Sequence, residues 1–251
     1  MQNDINLLLQ HAIAHLQQGR FGEAGAIAQQ IIAKTPRNGD ANLILGVVAS
    51  QRGDHSFAEK CIACAIRCNP NQPLYHFNHG IALESGHQPE QAILAYERAI
   101  ELKPDYAEAH NNLGSVLRSL NQTDEALSAY NKAVQYSPDY GMAYNNRGMT
   151  LADLARFDEA LLDFQRANRL MPQFADAYNN CGNVLQQLNR YDEAEDHVRR
   201  ALSLNPNFAI AHANLGYILS KTGQLQEAEN CLRRALQISP ELAMVHSNLL
   251  F

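Results

Sequence analysis

From residue 107 the chain reads AEAHNNLGSVLRS, and its apolar and small residues recur at the three- and four-residue spacing of an amphipathic helix. A second pattern of the same period, TDEALSAYNKAV, follows after a short polar interval around Asn121. The pair of helices recurs along the whole chain. Pro36, Pro70, Pro104, Pro138, Pro172, Pro206 and Pro240 are each 34 residues apart, and Gly46, Gly80, Gly114, Gly148, Gly182 and Gly216 keep the same interval. Ala24, Ala58, Ala92, Ala126, Ala160, Ala194 and Ala228 form a third series in register.

With proline at position 32, the repeats are 5–38, 39–72, 73–106, 107–140, 141–174, 175–208 and 209–242, followed by a partial unit, 243–251. The spacing predicts helix A over positions 2 to 14 and then a turn marked by Gly19, Gly53, Asn121, Asn189 or Gly223. Helix B follows and ends near the proline, whose ring and missing N–H prevent continuation. Acidic pairs such as Asp124-Glu125, Asp158-Glu159 and Asp192-Glu193 open helix B at the positive end of its dipole, and Asp105 with Glu108 reads as a capping box for a helix A. Strand signals are nearly absent, so the chain reads as all-α and as a single domain over 1–251.

A glycine inside a helix costs roughly 1 kcal/mol relative to alanine, so one repeated six times at position 8 implies a compensating gain. The expected gain is close approach: Gly at position 8 of helix A and Ala at position 20 of helix B remove bulk where the helices cross. Tyr96, Tyr130 and Phe164 at position 24, and Leu83, Leu117, Leu151, Leu185 and Leu219 at position 11, fill the space around the crossing.

Small residues at positions 8, 20 and 27, an aromatic near 24 and proline at 32 resemble the tetratricopeptide repeat from residue 5 to the end of the chain. The resemblance implies a right-handed α-solenoid of about seven 34-residue helix-turn-helix repeats plus a partial eighth. The first repeat departs from it, with Ala12 at the glycine position, Ala28 at the aromatic position and Ile31 instead of alanine. Terminal repeats are expected to be atypical because one face lacks a neighbour.

At 100° per residue, positions 4, 7, 8 and 11 of helix A form the packed face, and positions 2, 5, 6, 9 and 13 point away from it. Position 6 holds Asn78, Asn112, Asn146, Asn180, Asn214 and Asn248, with Asn111, Asn145 and Asn179 beside them at position 5. In tetratricopeptide arrays the A helices line the concave surface, so the resemblance implies a ladder of amides there. An amide both donates and accepts, which suits the backbone of an extended peptide whatever its sequence. The same asparagines also read as solvated polar residues or as helix-to-helix hydrogen bonds. Leu74, Phe77, Met142, Met149, Ile210 and Tyr217 on this face either hold ligand side chains or act as spacers between A helices. The family's carboxylate clamp needs Lys or Arg here, whereas position 5 holds Leu9, Leu43, Phe77, Asn111, Asn145, Asn179 and Ala213.

Composition narrows the partner class. The net charge of −6 is spread without a basic or acidic block, so neither nucleic acid nor a membrane surface is expected, and a protein or extended peptide is. The N-terminus lacks a basic segment before an unbroken apolar run, and five cysteines suit a reducing compartment, so a cytoplasmic location is expected. Cys61, Cys64 and Cys68 share a helical face, but no fourth zinc ligand is evident, and they read as small semi-buried residues. His11 and His15 fall at packed positions 7 and 11, and His76, His110, His212 and His246 at packing position 4. No glycine-rich phosphate loop, metal-binding Asp pair or nucleophile elbow occurs, so catalysis, a cofactor and a metal site are not expected within this chain.

The last residues, AMVHSNLLF, begin an eighth helix A and end on Leu249, Leu250 and Phe251, an uncovered edge that reads as a cut within a longer protein or as a surface for self-association. HSNLLF resembles the junction in bacterial proteins similar to O-linked N-acetylglucosamine transferase and SPINDLY, where the repeats pass into the glycosyltransferase region. That resemblance implies repeats that recruit partners or acceptor proteins for a transferase. The alternative is a free-standing adaptor or assembly scaffold.

Overall fold

A computed structural model describes residues 2–242, so Asn248, His246 and the Leu249-Leu250-Phe251 edge lie outside the described residues. Fourteen α-helices and no strand occur among the described residues, and the helices pair into seven antiparallel hairpins. The chain divides into two compact units, Met1–Tyr136 and Ser137–Phe251. In the first unit the hairpins are α1 (Gln2–Gln17) with α2 (Phe21–Lys34), α3 (Gly39–Gln51) with α4 (His55–Cys68), α5 (Pro73–Ser85) with α6 (Pro89–Leu102), and α7 (Ala107–Ser119) with α8 (Thr123–Tyr136). In the second they are α9 (Gly141–Asp153) with α10 (Phe157–Leu170), α11 (Ala175–Gln187) with α12 (Tyr191–Leu204), and α13 (Ala209–Lys221) with α14 (Leu225–Ile238). Within each unit every helix B also packs on the helix A that follows it. This is the all-helical, solenoid-like architecture that the period predicts.

Every hairpin but the first closes on a glycine at position 8. A Cβ placed on Gly80 would lie 2.5 Å from the Tyr96 ring, and one on Gly182 would lie 2.4 Å from Val198. At Gly46, Gly182 and Gly216 the position-20 carbonyl of helix B is also within 3.1–3.2 Å. The glycine therefore makes room for the side chain at position 24 as well as for the small residue at position 20. Tyr96, Tyr130 and Phe164 are fully buried against it. In the first repeat both partners change together: Ala12 meets Ala28, and both are fully buried.

The turn between the two helices reaches the left-handed region at position 15 in every repeat. Gly19, Gly53 and Gly223 adopt it without a Cβ, and Asn121 and Asn189 tolerate it, but His87 and Ala155 are there too, with φ of 58° and 57°. The capping box expected at Asp105 and Glu108 does not form. The tight turn through Pro104 makes Tyr106 the residue that precedes α7, and no side chain caps that end. The acidic pairs do sit in the first turns of α8, α10 and α12.

Position 4 secures the connector instead. His76, His110 and His212 each place Nε2 2.8–3.0 Å from the carbonyl oxygen of Pro70, Pro104 and Pro206 respectively. Asn42 makes the equivalent bond to Pro36 at 3.3 Å. A carbonyl that the proline turn would leave without a partner is thus satisfied by the next helix.

Candidate functional site

Helix A presents one flank to its own helix B and another to the A helices of neighbouring repeats. Contacts join α1 to α3 and α3 to α5 in the first unit, and α9 to α11 and α11 to α13 in the second. In the second unit these seams cover positions that a single-helix projection leaves open, and Asn111 on α7 is buried as well. Asn111, Asn145 and Asn179 at position 5 are only 3–5% exposed, and at position 6 Asn214 is buried while Asn78, Asn112, Asn146 and Asn180 are half-buried. The projection counts only the partner within the repeat, so it places positions 5 and 6 outside the packing.

Buried amides need partners, and at positions 5 and 6 of the A helices they find one another. In the second unit Asn180 Nδ2 donates to Asn145 Oδ1 at 3.1 Å, and Asn214 Nδ2 donates to Asn179 Oδ1 at 2.9 Å. Asn145 in turn donates to Asn146 Oδ1 at 3.4 Å and approaches Met149 Sδ at 3.6 Å. The first unit arranges its amides differently. Asn111 donates to Asn112 at 3.2 Å, Asn112 reaches the Tyr96 hydroxyl at 3.5 Å, and Asn78 donates to the Leu74 carbonyl of its own helix. Tyr96 gives its own proton to Glu84 at 2.9 Å. Helix-to-helix bonding is thus where the structure places the second unit's asparagine pairs.

Outside the seams lies the free face. Position 2 is exposed, with Leu74, Met142 and Ile210 alternating along the sequence with Asp40, Glu108 and Asp176. Met149 and Tyr217 at position 9 are half-buried and Asn183 is exposed. Phe77 belongs elsewhere: its ring packs 4.9 Å from that of Tyr106 in the connector and 5.9 Å from that of Tyr96 in α6.

A bidentate ion pair escapes sequence inspection. Arg147 Nε and Nη2 each lie 2.7 Å from an Asp163 carboxylate oxygen, across the α9–α10 hairpin. Asp163 is buried, and its hydrogen bonds raise the Arg147 pKa against the opposing effect of burial. The signal was present as two polar residues at positions 7 and 23, where the preceding repeat has Leu113 and Ala129. The Arg147 and Arg166 guanidinium groups also lie 5.5 and 6.0 Å from the Tyr144 ring.

The cysteines do not converge. Cys61 is buried with its pKa raised by that burial, Cys64 is half-buried and accepts from Arg67 at 2.7 Å, and Cys68 is exposed. Burial likewise pushes Cys181 up to about 12, which keeps it a thiol. No group of three or more His, Cys, Asp or Glu among the described residues is arranged to hold a metal ion. His11, expected to pack, is exposed, and His15 is half-buried. A cleft of about 640 Å³ in the first unit has an apolar floor of Ile93, Ile100, Leu113 and Leu117. His110 lines it but already bonds to Pro104, and burial lowers its pKa.

Comparison with known proteins agrees with this geometry. Profiles described as Tetratricopeptide repeat match residues 9–73, 77–140, 117–179, 175–208 and 209–242. No curated protein matches the chain. Among solved structures, a chain of the APC/C hetero-tetramer Cut9–Hcn1 superposes with a TM-score of 0.81 at 19% identity, covering 95% of this chain and 47% of that one. PilF of Pseudomonas aeruginosa gives 0.77 at 17% identity over 84% of this chain and 96% of its own. YrrB, described as a TPR protein with an unusual peptide-binding site, gives 0.64 at 24% identity over 77% of this chain and 100% of its own. At these identities the likeness is one of fold. No helix among the described residues is long and apolar enough to cross a membrane.

Proposed function

Because the chain belongs to the tetratricopeptide repeat family, a non-catalytic fold whose members are protein–protein interaction modules, we propose that it binds extended peptide segments of a partner protein on the free face of its A helices. The observation that carries this reading is the exposed apolar side chains at position 2, Met142 and Ile210 on the second unit's A helices and, separately, Leu74 on the first unit's α5. Solvated apolar groups on a rigid, otherwise polar face gain free energy when a ligand side chain covers them. The position-6 amides, Asn78 and Asn112 in the first unit and Asn146 and Asn180 in the second, contribute at the edge of each unit's own face. An amide carries two donors and an oxygen with two lone pairs, so an internal bond such as Asn78 to the Leu74 carbonyl or Asn180 to Asn145 orients it without using all of that capacity. Asn214, Asn111, Asn145 and Asn179, being buried, act by fixing the helices that present the face.

A partner that is protein rather than nucleic acid or membrane fits the unpatterned net charge of −6, and a cytoplasmic setting fits the five free cysteines. The transferase-linked form of the reading, and self-association through Leu249, Leu250 and Phe251, rest on the sequence of 246–251. Reading the gene past Phe251 tests the first against a free-standing adaptor, and sedimentation over a range of concentrations tests the second.

The reading is tested by selecting displayed peptides on the full chain and titrating the winner into protein carrying carbon-13 methionine methyls. Met142 and Met149 should shift while Met171, beside Gly141, stays in place. Saturating peptide that leaves Met142 and Met149 unmoved would defeat it.

A further inference from the structure

The second unit's free face is patterned, and the pattern has a spacing. Position 2 reads Met142, Asp176, Ile210 on α9, α11 and α13, and position 9 reads Met149, Asn183, Tyr217 on the same three helices. Both rows run apolar, polar, apolar across consecutive A helices. Met142, Asp176, Asn183 and Ile210 are exposed, and Met149 and Tyr217 are half-buried. Asp176 brings a negative charge between two apolar side chains. The other charges on this face stand at position 13: Asp153, and Lys221, which leans over the Tyr217 ring at 5.2 Å.

Packed helices lie about 8–10 Å apart, so successive sites in a row repeat at about that distance. A β-strand presents a side chain to one face about every 6.6 Å and falls out of step. A polyproline II helix turns once in three residues and rises about 9.3 Å per turn, which keeps step. The position-6 amides lie between the two rows in helix A. A ligand backbone offers partners to the Asn180 amide where its own N–H and C=O groups are unpaired, as they are in polyproline II and not in an α-helix.

We propose that the second unit selects a polyproline II segment with an apolar side chain, a Lys or Arg three residues later, and another apolar side chain three residues after that. The apolar residues cover Met142 and Ile210, and the cation pairs with Asp176. This selection rests on the peptide-binding reading above and adds conformation, charge and register to it.

The test is fluorescence anisotropy with the full chain and four labelled peptides. These are Leu-Pro-Pro-Lys-Pro-Pro-Leu, its Lys-to-Glu counterpart, the isomer Pro-Pro-Leu-Lys-Leu-Pro-Pro, and an amphipathic helical peptide with the same three residues one heptad apart. The first should bind tightest. Asp176→Lys should weaken it about tenfold and reverse the preference between the Lys and Glu peptides, and Met142→Ser with Ile210→Ser should weaken both. Far-UV circular dichroism confirms that the variants fold. If the isomer or the helical peptide binds as well as the first, and the Met142 and Ile210 variant still weakens it, the register and conformation are wrong while peptide binding on this face stands. If Asp176→Lys leaves the Lys and Glu preferences unchanged, the charge assignment is wrong. If none of the four binds and displayed peptides also fail to shift Met142, both readings fall.

Discussion

The two units solve the same packing problem with different chemistry. In the first, the seam between α1 and α3 is apolar: Ile44 at position 6 is buried in a cluster that Leu9 at position 5 of the preceding repeat packs against. In the second, the same positions hold Asn179 and Asn214, just as buried and hydrogen-bonded to each other at 2.9 Å. Positions 7 and 23 repeat the contrast, with Leu113 and Ala129 in one hairpin and the Arg147–Asp163 ion pair in another. The frame is set elsewhere, by glycine at 8, small residues at 20 and proline at 32. What fills these contacts can be apolar or polar, and here the polar groups, Asn179 with Asn214 and Arg147 with Asp163, have each other as partners.

That contrast breaks most sharply at the ion pair. Arg147→Leu alone strands a buried carboxylate and should cost about 3–5 kcal/mol in urea unfolding. Arg147→Leu with Asp163→Ala recreates the Leu113 and Ala129 arrangement and should recover most or all of that loss. A smaller effect is expected at the frame itself. Ala155→Gly should stabilise by about 1 kcal/mol, because it relieves a left-handed residue at a position where Gly19, Gly53 and Gly223 need no relief. Thermal melts of the variant and the parent check this.

The smallest effect is on pH dependence. Burial lowers the pKa values of His79, His110 and His197 below the ordinary 6.5, so between those values the unfolded chain binds more protons. Stability is therefore fully present above 6.5 and is lost as pH falls toward the lowered values. His110→Asn borrows the side chain that Asn42 uses for the same proline carbonyl, so it should keep the connector bond and reduce the acid loss of Tm. An unchanged dependence would remove His110 from the account.

The period made the fold legible, because glycine, alanine and proline at fixed positions report backbone geometry that no other residues serve as cheaply. Gly114 could be placed on the packed face from its spacing, but its contact with Tyr130 lies across the hairpin. The asparagines were less legible. Position 6 looks open on one helix, but in the second unit Asn180 and Asn214 turn toward the preceding repeat, and the donors that seem offered to a ligand are partly used by Asn145 and Asn179. The Asp105 and Glu108 cap fails for a related reason: the proline turn, a feature of the connector, decides where α7 begins. Spacing within a helix reveals its faces, and only the stacking of repeats reveals which of them remain free.

The central claim is that the buried asparagines at positions 5 and 6 of the second unit's A helices are tolerated because they are paired. The most direct measurement is a double-mutant cycle in urea unfolding with Asn179→Leu, Asn214→Ile and both together. Each single change leaves a buried amide without its partner and should cost about 1–3 kcal/mol, and the double should cost less than the sum by at least about 1 kcal/mol. Strictly additive losses would show that the two amides are not coupled and would contradict the account.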